Sequence, residues 1–305
     1  MTTLVFGHKS PDTDSTGSPL IWEWFLNHTG MDAKAALLGT PNTEAAFVAK
    51  RWKFDLPDII EDVEDDQSCV IVDTNNPAEL PANINNAEVL AIIDHHKLAG
   101  GLETKNPINI TIRPLACTAT IMHQMMGEHA DHMPESIKGL MLSCILSDTL
   151  AFRSPTTTAM DKDLGEALAK DLGIKIADYA DEMFAAKSDI SAFSDAELLR
   201  MDSKEYSVEG KKFRVSVLET TSPKTVLDRK SSLMDTMPIV ANEDGVDQVL
   251  LFVVDIIKEE ATMFIPNDFT KAVAEKSFDA KVEGDSVVLP GVMSRKKQII
   301  PALKV

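Results

Sequence analysis

Thr3-Leu4-Val5-Phe6-Gly7-His8-Lys9-Ser10-Pro11-Asp12-Thr13-Asp14-Ser15 decides the reading of this chain. An apolar run ends at Gly7, and the next seven positions carry one imidazole and two carboxylates. Such a cluster at the tip of a strand has the chemistry of a divalent-metal site. Three later segments repeat the arrangement: Cys69-Val70-Ile71-Val72 ends at Asp73, Val89-Leu90-Ala91-Ile92-Ile93 ends at Asp94-His95-His96, and the apolar stretch 140–146 ends at Ser147-Asp148. Four apolar elements therefore deliver acid or imidazole at their C-terminal tips. In a parallel sheet those tips share one edge, where open α/β folds bind their ligands.

The surrounding pattern fits such a sheet. Apolar runs at 3–6, 33–38, 69–72, 89–93 and 109–112 are separated by amphipathic stretches such as 18–26 and 43–52, the signature of parallel βαβ units. Helical spacing then takes over at 118–126, 134–146, 158–172 and 176–186, the third carrying a stripe of Leu164, Leu168 and Leu172 and stopping at Gly173. Past Lys187 the grammar changes. A short helix at 195–201 leads into a hairpin of 204–208 and 213–218 that turns around Glu209-Gly210. A helical stretch within 223–242, strands at 249–256 and 261–265, an amphipathic stretch at 269–278 and terminal strands complete the chain. The expected class is α/β, with a larger domain over residues 1–187 built on a parallel sheet flanked by helices. A linker at 188–193 leads to a smaller α/β domain with a mixed sheet over 194–305.

A chain of 305 residues with 44% hydrophobic content can bury sizeable cores. The apolar run 249–257 is broken by Asp255 and falls far short of the ~18 residues a membrane span needs, so no membrane partner is expected. Met1-Thr2-Thr3 passes straight into the first strand without a basic leader, which makes the cytoplasm the expected compartment. Cys69, Cys117 and Cys144 are odd in number, far apart and embedded in apolar segments, and read as reduced core thiols. The net charge of −18 repels polyanions and argues against a nucleic-acid partner. An anionic substrate must be drawn in locally, by metal ions and a few placed cations.

Imidazole mixed with carboxylate points to Mn²⁺, Co²⁺, Fe²⁺ or Zn²⁺, where carboxylates alone would suit Mg²⁺ or Ca²⁺. Asp12, Asp14, Asp73 and Asp148 bring four negative charges, which two divalent cations neutralise and one does not. Paired cations ~3.5 to 4 Å apart can share a water, lower its pKa and aim it at phosphorus. Each fragment also has a plainer reading. Asp-x-Asp after a strand is a common turn and helix cap, with Ser15 a good cap for the helix that follows. One of two adjacent histidines often only packs. Asp148 could merely close its helix, although an acid there opposes the helix dipole. Four such coincidences at four tips favour one shared site. His28, His123, His129 and His132 lack this setting and read as surface or helix residues.

Ser294-Arg295-Lys296-Lys297-Gln298 is the densest basic cluster of an acidic chain. It reads either as a solvated turn beside the last strand or as a phosphate grip, Arg supplying a fork and Lys a point charge. A carboxylate site neutralised by two metals keeps little positive potential for a multiply charged phosphate. The second reading supplies it, through a domain that closes on the metal domain and places the active site in the interdomain cleft. Lys204, just past the linker, is placed to do likewise.

Taken together, these motifs resemble the family II inorganic pyrophosphatases, the manganese-dependent branch of the DHH phosphoesterases. The stretch from Gly7 to Ser15, Asp73, Asp94-His95-His96, Ser147-Asp148-Thr149, Asp202-Ser203-Lys204 and the Ser294 to Gln298 pentapeptide match that family's motifs in order, across nearly the whole chain. Asp-His-His alone specifies the superfamily; the pentapeptide narrows it. The resemblance implies hydrolysis of inorganic pyrophosphate to two orthophosphates by a hydroxide bridging two Mn²⁺ ions, with Co²⁺ as a substitute and Mg²⁺ arriving with the substrate. It implies one ion on His8, Asp12, Asp73 and Asp148 and the other on Asp14, Asp73, His95 and Asp148, with Asp94 orienting an imidazole. His96, Lys204, Arg295 and Lys296 would then hold the substrate phosphates, His96 also helping the leaving group, in a protein that is a homodimer.

Two positions depart from the family pattern: Thr74 stands where a His is expected after Asp73, and Lys97 where an Arg is expected after Asp-His-His. Neither is a ligand in the carried-over set. No inserted nucleotide-binding module separates the middle motifs, so adenylate regulation is not expected. The alternatives are another DHH phosphoesterase, such as a short-chain exopolyphosphatase or an oligonucleotide exonuclease, and a non-catalytic phosphate or metal sensor. The exonuclease would need a basic groove or stacking aromatics, and aromatic content is only 6%. Ligands at every motif position disfavour the sensor.

Overall fold

Val5, Phe6, Ile71, Val72 and Ile93 are all fully buried, because the strands that carry them are covered on both faces, as parallel strands are. The computed structural model describes residues 2–305 and separates into two units, one ending at Lys187 and one beginning at Ser188. The first unit holds β1 (Thr3–Phe6), α1 (Thr13–His28), β2 (Ala33–Ala35), α2 (Thr43–Arg51), β3 (Ser68–Val72), β4 (Glu88–Asp94) and β5 (Asn109–Ile112). Four further helices follow: α3 (Thr118–Met126), α4 (Glu135–Asp148), α5 (Ala159–Asp171) and α6 (Ile176–Lys187).

The five strands are all parallel, in the order β2-β1-β3-β4-β5. The chain steps one way from β1 to β2 and then returns past β1 to β3, so the crevice at the C-terminal ends of β1 and β3 is a topological switch point. Alternate side chains face opposite layers. Val5, Val70, Val72 and Ile93 pack with Ile21 of α1, Ile121 of α3 and Ile145 of α4. Phe6, Cys69, Ile71 and Ile92 pack against Val63, Leu80 and Ile84, which lie in irregular connections. The strict strand and helix alternation therefore stops at β3, since only single helical turns at Pro77–Glu79 and Ile84–Asn86 join β3 to β4. The second strand is also shorter than its apolar run: Ala33–Ala35 forms the ladder, and Leu37 makes an isolated bridge to Ile59.

The second unit holds α7 (Asp195–Met201), β6 (Ser203–Val208), β7 (Lys211–Thr220), α8 (Lys224–Leu227), α9 (Lys230–Glu243), β8 (Gln248–Asp255), β9 (Glu260–Phe264), α10 (Asp268–Phe278) and β10 (Ser286–Pro290). Its sheet is mixed, in the order β10-β9-β8-β7-β6, with β7 and β8 parallel and the other pairs antiparallel. Glu209 and Gly210 both take positive φ, 49° and 81°, as a tight hairpin turn requires. One expectation fails here. The chain ends in one strand, not several, and the basic pentapeptide lies in a helical turn over Arg295–Ile299. Among the described residues no helix is long and apolar enough to cross a membrane.

The entry to α2 braces the loop after β1. The Asn42 N–H donates to the Pro11 carbonyl at 3.0 Å, and a Cβ on Gly39 would stand 2.3 Å from the Lys9 carbonyl oxygen. The expected outcome of Gly39→Ala is a loss of about 1–3 kcal/mol in urea unfolding of the metal-free protein, because a backbone atom rather than a movable side chain must yield. An unchanged midpoint would contradict the brace.

Candidate metal centre

Gly7 sets the geometry of the first ligand-bearing loop. Its missing side chain leaves room for Ser15 Oγ, which would lie 2.0 Å from a Cβ and which accepts a hydrogen bond from the His8 N–H at 2.8 Å. Ser15 is thus occupied with His8, and the cap of α1 is Asp12, whose Oδ1 accepts from the Ser15 N–H at 3.0 Å. This corrects the expectation of a Ser15 cap: α1 starts at Thr13, five residues before the amphipathic pattern suggests. Capping and site geometry coincide in Asp12, since His8 Nε2 lies 3.9 Å from the same Oδ1.

Asp73, at the tip of β3, is 1% exposed and has φ of 58°, a left-handed conformation that costs a non-glycine residue roughly 1–3 kcal/mol. Its two oxygens face different partners. Oδ2 is 3.5 Å from His8 Nε2, and Oδ1 is 3.3 Å from His95 Nε2 and accepts from the Thr118 hydroxyl at 3.0 Å. His95 Nδ1 lies 3.3 Å from the Leu115 carbonyl, to which it can donate, so that Nε2 is the atom available to a metal ion. His96 is oriented the other way, Nδ1 bonding Asp94 Oδ1 at 2.9 Å. Asp94 is itself held by the Asn75 amide at 2.5 Å, and Asn75 also bonds the Lys97 carbonyl and the Ala99 N–H. Thr74 turns aside to Glu79 at 2.8 Å. Behind the family departure at Thr74 stands a buried Asn that fastens the Asp-His-His loop, a role sequence reasoning missed.

Asp14 is buried and Asp148 half-buried. Asp14 accepts from Ser18 Oγ at 2.6 Å and from the Thr118 N–H, at the start of α3, at 2.7 Å. Asp148 ends α4, and its Oδ2 is buried without a hydrogen-bond partner among the described residues. Ligand atoms of His8, Asp12 and Asp73, of Asp73, His95 and His96, and of Asp14, Asp148 and Cys117 lie within 4.8 Å of one another in each group. Cys117 is the unanticipated member. Burial and the neighbouring Asp14 and Asp148 push its thiol well above the ordinary range, so it stays protonated in the metal-free protein.

Burial lifts the carboxyl of Asp148 well above the carboxylate range, and the charges of Asp14 and Asp73 lift it further. Asp14 is raised by burial and then by Asp73. Burial alone would depress His95, but its hydrogen bond to Asp73 and the charge of Asp14 outweigh that and push it up to about 9. A cluster of hard oxygen donors and imidazole nitrogen around buried Asp14 and Asp73, with one carboxylate oxygen unsatisfied among the described residues, fits divalent transition cations.

Lys204, Arg295 and Lys296 lie in the second unit, where all three line one cavity of about 780 Å³ with Asp202, Tyr206 and Ser294. Ser294 Oγ accepts from the Lys297 N–H, and Gln298 Oε1 accepts from the N–H groups of Met293 and Ser294 at 2.9 Å, which fixes the turn. Arg295 is steered by Asp202, with 2.7 Å to its carboxylate and 2.8 Å to its carbonyl. Lys204 and Lys296 are exposed and pair with no carboxylate within 4 Å among the described residues.

The electrostatics predict how the metal-free protein responds to pH. His95 is raised to about 9 and His8 and His96 are raised, so their stabilisation is complete below 6.5 and is lost as pH rises through their folded values. Raised Asp14 and Asp148 act in the same direction, favouring the fold while protonated; lowered Asp94 contributes a constant amount above its ordinary value. Melting temperature of the chelator-treated protein should fall from pH 6 to pH 9, and the increase produced by Mn²⁺ should grow over the same range as bound protons are displaced. A flat or rising metal-free profile would contradict this.

The sequence matches the DHH family, N-terminal domain, over residues 2–147 and the DHHA2 domain over residues 181–305. It is 36% identical over 302 residues to a probable manganese-dependent inorganic pyrophosphatase of Lactobacillus acidophilus, covering 98% of this chain and 97% of that one. It is 33% identical over 301 residues to the protein of the same description from Bacillus licheniformis, with the same coverage. Among solved structures it resembles a putative family II inorganic pyrophosphatase of Methanococcus jannaschii, with a TM-score of 0.61, 33% identity and coverage of 99% and 98%. With this similarity running through both units, the chain belongs to the manganese-dependent, family II inorganic pyrophosphatases.

Proposed function

We propose that this protein hydrolyses inorganic pyrophosphate to two orthophosphates using two Mn²⁺ ions, with Co²⁺ a competent substitute and Mg²⁺ entering with the substrate. The observation that carries the reading is the pairing of buried Asp14 with Asp148, whose Oδ2 is shut off from solvent and has no hydrogen-bond partner among the described residues, beside His8, Asp12, Asp73 and His95. In this reading His8, Asp12, Asp73 and Asp148 hold one ion, and Asp14, Asp73, His95 and Asp148 hold the other. When bound, the pair polarises phosphoryl oxygens and lowers the pKa of the attacking water.

The chain's own residues do the rest. His96 has its Nδ1 bonded to Asp94, and that bond is the main reason its pKa is raised, which favours the imidazolium form with a second proton on Nε2 of the half-exposed ring. As water attacks one phosphorus and the bridging P–O bond breaks, His96 donates this proton to the departing phosphate. Lys204, Arg295 and Lys296 bind the phosphate oxygens and spread the developing charge. Net charge −18 supports an enzyme that excludes polyanions, and three buried free thiols support a cytoplasmic setting. A homodimer is supported by the open edge of β5, where Ile110 is 55% and Leu98 72% exposed.

Phosphate release should be fastest from pyrophosphate with Mn²⁺ and abolished by chelator. Faster release from tripolyphosphate than from pyrophosphate would favour an exopolyphosphatase, and none from either would overturn the reading. Lys296→Ala should lower kcat/KM by roughly a hundredfold or more with Mn²⁺ content unchanged; loss of metal instead would mean the cation has been given the wrong role. Light scattering should return twice the 33.4 kDa chain mass, and Ile110→Lys should return the chain mass itself. A wild-type monomer would contradict the dimer.

A further inference from the structure

Glu44 belongs to no ligand set, yet its side chain is 0% exposed. It stands in the first turn of α2, where the helix dipole favours negative charge. One oxygen does most of the bonding: Oε2 accepts from Thr13 Oγ1 at 2.9 Å and from Ser147 Oγ at 2.7 Å, and Lys187 Nζ lies 3.4 Å away. The other, Oε1, is buried without a hydrogen-bond partner among the described residues. Thr13 separates Asp12 from Asp14, and Ser147 immediately precedes Asp148. A single carboxylate oxygen therefore fastens together the two segments whose acids repel each other. Its charge is matched by Lys187 and draws nothing from cations that already balance four aspartates.

We propose that Glu44 is a positioning residue for the metal centre: through the Thr13 and Ser147 hydroxyls it sets the separation of Asp14 and Asp148, with Lys187 as its countercharge. The inference rests on the two-metal reading above. Without the tie, no other hydrogen bond among the described residues links Thr13 to Ser147, and binding cations would have to draw Asp14 and Asp148 into place as they displace the protons, so the cost appears in metal affinity. Turnover of the fully loaded enzyme would change less. Glu44→Gln keeps an acceptor oxygen for both hydroxyls and removes the charge, whereas Glu44→Ala removes both.

Calorimetric titration of Mn²⁺ into chelator-stripped wild type and variants tests this, with circular-dichroism melts of the stripped proteins alongside. Glu44→Ala should raise the Mn²⁺ Kd about tenfold or more, as loss of a ligand-orienting contact does. Thr13→Val and Ser147→Ala should each raise it less, and Glu44→Gln should stay within about threefold of wild type. Lys187→Met should lower the melting temperature of the stripped protein, and adding Glu44→Gln should restore it, because no unpaired buried charge then remains. A wild-type Kd in Glu44→Ala, or a Glu44→Gln Kd as weak as that of Glu44→Ala, overturns the tie and leaves the two-metal reading standing. If Glu44→Ala does not fold, a folded Thr13→Val, Ser147→Ala double variant with wild-type Kd overturns it equally. Wild-type protein that takes up no Mn²⁺ overturns both.

Discussion

Asp14 and Asp148 are two carboxyls held close together, Asp14 buried and one oxygen of Asp148 shut off from solvent, and much of the first unit either produces that confrontation or contains it. Burial and mutual repulsion both penalise ionisation, so the metal-free protein keeps protons there that an exposed aspartate would have lost. The parallel sheet brings Asp73 and the two histidines to the same edge. The start of α3 supplies the Thr118 N–H and hydroxyl, one to Asp14 and one to Asp73. Such an arrangement weakens the metal-free fold and makes sense for a protein whose working form carries compensating positive charge.

The second unit solves the opposite problem. An acidic chain must present cations to an anionic substrate without letting its own carboxylates neutralise them. Arg295 gives up part of its fork to Asp202 and is thereby oriented, while Lys204 and Lys296 remain open along the cavity wall. Ser294 and Gln298 spend their side chains on backbone groups of the turn. The pentapeptide is thus part cation display and part scaffold, which explains why Ser and Gln flank its three basic residues.

Much of this was legible in the chain, for a physical reason. Buried parallel strands are short apolar runs with abrupt polar ends, so β1, β3 and β4 announce themselves, and the acids and imidazoles at their tips follow. The two sheets and their parallel and mixed character were readable in the same way. What escaped depends on tertiary partners. Asp12 rather than Ser15 caps α1 because Ser15 is drawn to the His8 N–H, a contact possible only beside Gly7. Glu44 looks like any first-turn acid until α4 delivers Ser147 to it. Asn75 and Thr118 carry no motif signal, since their partners lie 19 to 104 positions away. The last helical turn escaped because bonds made by Ser294 and Gln298, rather than local propensity, hold it.

The most direct test is anomalous diffraction at the manganese edge from crystals grown with Mn²⁺. Two peaks per chain are predicted, both in contact with Asp73 and Asp148, one beside His8 and Asp12 and the other beside Asp14 and His95. No peak at the strand tips, or a single peak that Asp14 and Asp148 do not touch, would contradict the account.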